Sequence, residues 1–171
     1  MKRCKPAGLS LWLTSIPPLA IALCLFVGAW QPAAAAAGPF SDLPGTWTGT
    51  GKIRVGDTTE RIRCRATYRL SGEHNINLSL ACASDTYKFD LTGDFTADEQ
   101  DNISGQWTET SRGVGGTAIG AAHGDRFRIH IETAAFAGNL SMVTRNRRQT
   151  VSIDTHGGGQ VAEASITLSR N

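Results

Sequence analysis

The chain has 171 residues, enough for one domain and too few for a large multidomain enzyme. Three of its 17 basic residues, Lys2, Arg3 and Lys5, precede residue 37, whereas all 15 acidic residues follow it. The formal charge of +2 therefore becomes −1 beyond that point, and a near-neutral remainder gives no support to a nucleic-acid binder.

Residues 1–37 read as a signal peptide. The three basic residues lead an apolar stretch from Leu9 to Trp30, densest from Leu19 to Val27. A run of alanines follows, and small residues at −3 and −1 place cleavage after Ala35, Ala36 or Ala37. The alternatives are an uncleaved anchor, disfavoured by Pro17, Pro18 and the alanines, and lipidation at Cys24, disfavoured by the preceding Leu23. Cleavage would give a periplasmic or secreted protein that is not integral to a membrane. It would also remove Cys4 and Cys24, leaving Cys64 and Cys82 in an oxidising compartment.

Residues 38–45 form a lead-in, and residues 46–171 alternate with the period-two pattern of half-buried strands. The predicted strands run Thr46–Val55, Thr59–Leu70, Asn75–Cys82, Tyr87–Thr92, Ile103–Arg112, Val114–Ala122, Arg126–Glu132, Phe136–Val143, Thr150–Asp154 and Val161–Arg170. Turn signals separate them, among them Gly56-Asp57, Ser71-Gly72, Ser84-Asp85 and Gly124-Asp125. In the second strand Ile62, Cys64, Ala66, Tyr68 and Leu70 alternate with Arg61, Arg63, Arg65, Thr67 and Arg69. No stretch has helical apolar spacing.

A hairpin centred on Glu73 sets Leu70 opposite Ile76, Tyr68 opposite Leu78, Ala66 opposite Leu80 and Cys64 opposite Cys82. Every inward residue then meets an inward residue. Directly opposed cysteines are close enough for a structural disulfide. Short connections predict an antiparallel meander. One apolar and one polar face predict that it closes into a soluble up-and-down β-barrel of about 8–10 strands, with sandwich closure as the alternative.

Gly45-Thr46-Trp47, directly after Leu43-Pro44, resembles the start of the first strand in the calycin superfamily of lipocalins, fatty-acid-binding proteins and avidins. The resemblance implies that Trp47 closes one end of the barrel and that Arg170, from the last strand, packs across it. The chain departs from lipocalins in lacking a C-terminal helix pattern, and from fatty-acid-binding proteins in lacking a helical lid. Taken whole, it resembles small exported proteins of alphaproteobacteria, a likeness that brings no activity with it.

Catalytic chemistry is not legible. There is no H-x-x-x-H, C-x-x-C, G-x-S-x-G or P-loop pattern, so a non-enzymatic protein without metal or cofactor is expected. The candidate interior site is an aromatic cup of Tyr68, Tyr87, Phe89 and Trp107. Glu109 lies in phase with Trp107 and is either its polar group or a strand-end residue returned to solvent. Gly49, Gly51, Gly105, Gly116 and Gly120 either make room for a ligand or relieve a tightly coiled barrel.

Pairing across Gly56-Asp57 is expected to set Lys52 opposite Arg63 and Arg54 opposite Arg61. With Arg65 and Arg69 they form an outer basic face. It is either a solvated surface neutralised by Glu60, Asp90 and Asp94, or a site for an anionic envelope lipid or polysaccharide. The expected function is binding of a small apolar or amphipathic ligand inside the barrel, the alternative being an interaction module that uses the basic face.

Overall fold

A computed structural model of the chain describes residues 37–158 and 161–171. The predicted signal peptide, save Ala37, lies outside the described residues. These contain ten strands and no helix: β1 (Gly45–Val55), β2 (Thr58–Leu70), β3 (Asn75–Ala83), β4 (Lys88–Ala97), β5 (Asn102–Glu109), β6 (Val114–His123), β7 (Arg126–Glu132), β8 (Phe136–Arg145), β9 (Arg148–Gly157) and β10 (Val161–Arg170). Each pairs antiparallel with its sequence neighbours, and β1 pairs with β10, so the meander is a closed barrel without a free edge.

The β2–β3 register is the one read from the sequence, with Leu70 opposite Ile76, Tyr68 opposite Leu78, Ala66 opposite Leu80 and Cys64 opposite Cys82. The cysteines are bonded, with their Cα atoms 4.1 Å apart. The β1–β2 register is corrected by two residues: Lys52 faces Arg61, Arg54 faces Thr59, and Arg63 faces Thr50. The turn decides this. Gly56 has φ +56° and Val55 faces Thr58, leaving a two-residue loop of the kind that takes glycine first. Several predicted strands also lengthen, β4 and β9 the most. β4 runs on through Phe95 to Ala97, where Ala97 pairs with Ile103, and β9 begins at Arg148, two residues early.

The four loops between β2 and β3, β4 and β5, β6 and β7, and β8 and β9, together with the two ends of the described barrel domain, belong to one end of the barrel. That end is packed. Phe40 and Leu43 of the lead-in are buried there, and Phe40 stacks on Phe127 with centroids 6.4 Å apart. Trp47 is 0% exposed, its Nε1 donates to the Leu43 carbonyl at 2.8 Å, and the Arg170 guanidinium lies 4.7 Å from its ring centre. A cation over an indole face is attracted by the ring quadrupole. This holds Arg170 even though its buried Nε has no hydrogen-bond partner.

The inward glycines serve strand curvature. A Cβ on Gly116 would stand 1.9 Å from the Glu132 carbonyl oxygen, and one on Gly120 would stand 2.0 Å from that of Arg128. Gly49, Gly51 and Gly105 meet a neighbouring strand's carbonyl oxygen in the same way. These positions let adjacent strands close on one another as the sheet coils, as glycine kinks do in tight barrels. They do not themselves widen the interior.

Candidate functional site

A barrel of eight strands is just wide enough for its own side chains to fill, and width grows with strand number. Ten strands leave room, and the burial pattern shows where. At the packed end the inward side chains Tyr68, Ile76, Ala97, Ile103, Ala122, Phe127, Met142, Gln149 and Leu168 are all buried. Further up the walls, inward apolar side chains stay half-exposed. Leu78, Leu80, Phe89, Leu91 and Phe95 lie on β3 and β4, and Ile129, Leu140, Val151 and Ile153 lie on β7 to β9. Water still reaches these inward carbons, and the space they face is called the lumen. Its two walls carry no charged side chain among these residues.

The five candidate cup residues are not brought together as a set. Phe89 lies on the lumen wall, one cross-strand position from Cys82. Trp107 is buried on β5, its Nε1 donating to the Thr117 carbonyl at 3.3 Å and its ring 6.2 Å from that of Phe136. Tyr87 stands at the open rim, half-buried, with the Arg112 guanidinium 5.0 Å above its ring. Tyr68 belongs to the packed end. Its hydroxyl donates to Gln149 Oε1 at 3.0 Å, and Gln149 Nε2 donates to Thr144 Oγ1 at 3.2 Å. Burial, only partly offset by the Gln149 bond, pushes the phenol up to about 12. It is therefore a neutral donor at any ordinary pH. Gln149, 0% exposed, and Thr144 are the residues sequence reasoning missed. Their phase was available, since Gln149 alternates with Val151 and Ile153, and Thr144 with Met142.

Glu109 is buried at 2% exposure, and its carboxylate is spent on the β5–β6 turn. Oε1 accepts the backbone N–H groups of Asp90 and Ser111, both at 3.1 Å, and Oε2 accepts that of Arg112 at 2.8 Å. The Arg112 guanidinium is 3.5 Å from Oε2. Neither reading of Glu109, ligand group or solvated strand end, describes this arrangement. Burial works to raise its pKa, but the Asp90 N–H and the Ser111 and Arg112 donors outweigh it and hold the carboxyl below its ordinary range. A lowered carboxylate pKa adds stability that is whole above the unfolded value, about 4.3, and is lost as pH falls through the folded one. Glu109→Ala is expected to cost about 1–3 kcal/mol at pH 7, because it strands buried donors. Urea midpoints of the variant and the parent should converge as the pH falls below 4; a gap independent of pH would refute the role.

Outside the barrel, Lys52, Arg54, Arg61, Arg63, Arg65 and Arg69 are all exposed on β1 and β2. A groove of about 380 Å³ runs beside Arg63 and Arg65, and a second, of about 650 Å³, lies near Arg128 and His130. Among the described residues, no group of three His, Cys, Asp or Glu side chains is placed to hold a metal ion. Nor is any helix among them long and apolar enough to cross a membrane.

No protein-family model matches the chain, and no curated protein matches it. Solved structures do. Rv2717c from M. tuberculosis aligns with a TM-score of 0.65 at 14% identity, over 77% of this chain and 94% of that one. The S-type phycobiliprotein lyase CPES from Guillardia theta aligns with a TM-score of 0.56 at 15% identity, over 77% of this chain and 90% of that one. At such identities the likeness is one of fold: the chain is similar to these structures in architecture, and its own fold is a closed antiparallel meander.

Proposed function

We propose that this protein binds a small apolar or amphipathic molecule in the lumen of the barrel. The observation that carries the reading is the half-exposure of inward Leu78, Leu80, Phe89, Leu91, Ile129, Leu140, Val151 and Ile153 within a closed barrel. Apolar surface kept from its own packing is surface a ligand gains by covering. The ligand's body is apolar, because both walls are. Any polar group of the ligand points to the open rim, where Arg112 and Tyr87 stand, since the hydroxyl and amide of the packed end are already paired. One of the two barrels of like fold is named a phycobiliprotein lyase, so a catalytic role on a bound molecule is the neighbouring possibility.

The reading includes export, supported by the signal-like pattern of residues 1–37 and by a cysteine pair of the kind that persists in oxidising compartments.

The test is fluorescence titration with Nile red and with long-chain fatty acids. Binding is expected to enhance the dye and to change the emission of Trp107, and Trp107→Phe should remove most of the tryptophan change. Leu140→Trp, which fills the lumen from one wall, should weaken binding by about tenfold or more. If no apolar probe perturbs either signal, or if Leu140→Trp leaves affinity unchanged, the lumen is not a binding site.

A further inference from the structure

Among the described residues, no acid forms an ion pair with Arg61, Arg63 or Arg65. Glu60 lies in phase with Ile62 and accepts the hydroxyls of Ser84 (2.6 Å) and Thr86. Asp94 takes the Asn77 amide, and Asp90 pairs with Lys88 at 3.1 Å. Arg54 pairs with Glu163 at 3.5 Å. Arg61, Arg63 and Arg65 thus project from alternate positions of one strand without an acidic partner among the described residues. Lys52, directly opposite Arg61, adds like-charge repulsion that destabilises the pair of strands. A row that costs stability and lacks counter-charges has anion-binding capacity left over.

The face is also shaped. Arg63, Ala83 and Lys88 succeed one another across β2, β3 and β4, and Arg65, Ala81 and Asp90 lie in the next row. The two alanines set the floor low between Arg63 and Arg65 on one side and the Lys88–Asp90 ion pair on the other, which makes the 380 Å³ groove. Exposed Thr50, facing Arg63, adds a hydroxyl at its edge. Successive arginines on one strand face stand about 6.6–6.8 Å apart, so the three span about 13 Å in a line. That is a linear array of guanidinium forks, each able to take a carboxylate or sulfate bidentately.

We propose that this groove binds an acidic polysaccharide, a chain bearing carboxylate or sulfate groups at regular short intervals, laid along β2. A lipid surface fits less well. Among the described residues the exposed large hydrophobics are Leu70 and Ile119, and neither lines the groove, whereas membrane-surface elements pair basic charge with an apolar face that inserts. A single-stranded nucleic acid fits less well too, because no exposed aromatic side chain lies among the arginines to stack on bases. The proposal stands apart from the lumen and can fail without it.

The experiment measures binding of the purified protein to polygalacturonate, with neutral dextran, anionic phosphatidylglycerol vesicles and a single-stranded oligonucleotide as comparison arms. Binding to polygalacturonate is expected at low salt and should fall steeply as salt rises, because counterions are released on contact. R61S/R63S/R65S should weaken it by about tenfold or more. R126S/R128S/R148S, which removes the same charge from β7 and β9, should leave it within about twofold. Far-ultraviolet dichroism confirms that both variants are folded, and Arg→Lys at the same three positions serves as a second test set if the serine variant is not. Equal losses in the two sets would overturn the proposal, as would stronger binding to vesicles or oligonucleotide, or no binding by the parent protein at low salt.

Discussion

Trp47→Ala is expected to lower the unfolding free energy by about 3–5 kcal/mol, the range for removing a large aromatic from a packed core. The position justifies that range. Trp47 is 0% exposed at the packed end, under Phe40 and Leu43 of the lead-in and against Arg170 of the last strand. Truncation leaves a cavity, strands the Leu43 carbonyl that accepted its indole N–H, and leaves Arg170 without the ring face it covers. The loss is a large part of the 5–15 kcal/mol that domains usually possess. Trp47→Phe keeps most of the packing and should cost visibly less. Urea unfolding followed by dichroism gives both values. A Trp47→Ala penalty below about 1 kcal/mol would mean that the lead-in and Arg170 do not depend on the ring.

Breaking the Cys64–Cys82 bond should cost about 3 kcal/mol in the chain-entropy picture, given a sequence separation of 18. Three measurements bear on it. Intact mass should rise by about 2 Da on full reduction. The urea midpoint of the reduced protein should fall to that of the Cys64→Ala/Cys82→Ala variant. Reduction should be slow in the native state and fast in denaturant, because both residues are about 95% buried. An unchanged midpoint on reduction would show the bond to be dispensable. The same mass spectrum reads the N-terminus: on the proposal of export, protein recovered from outside the cytoplasm begins at Ala36, Ala37 or Gly38.

Some of this was legible before any coordinates. Ten strands could be seen because one buried face imposes a period of two, and matching inward residues across a hairpin centred on Glu73 gives the β2–β3 register that sets Cys64 opposite Cys82. The β1–β2 register was misread for an equally physical reason. A slip of two residues keeps every side chain on its own face, so alternation is blind to it, and only the two-residue turn at Gly56-Asp57 distinguishes the registers. Glu109 was correctly placed inward by its phase with Trp107. Its role was hidden because its partners are backbone N–H groups, which a sequence does not display. Gln149 and Thr144 were missed because the predicted strands stop at Val143 and resume at Thr150, whereas β8 runs on to Arg145 and β9 begins at Arg148. The burial contrast between the packed end and the lumen walls depends on how ten strands close, which no single strand encodes.

The seam between β1 and β10 also orders events in time. Trp47 pairs with Arg170, and Thr48 hydrogen-bonds Asn171 across a separation of 123 residues. During synthesis β1's outer edge has no partner until β10, the last strand of the meander, has been made. Local hairpins are quick to form, whereas a pairing of such sequence separation carries a larger loop-closure cost. β10 is thus the latch of the barrel: its pairing with β1 is what turns an open ten-strand sheet into a sealed vessel.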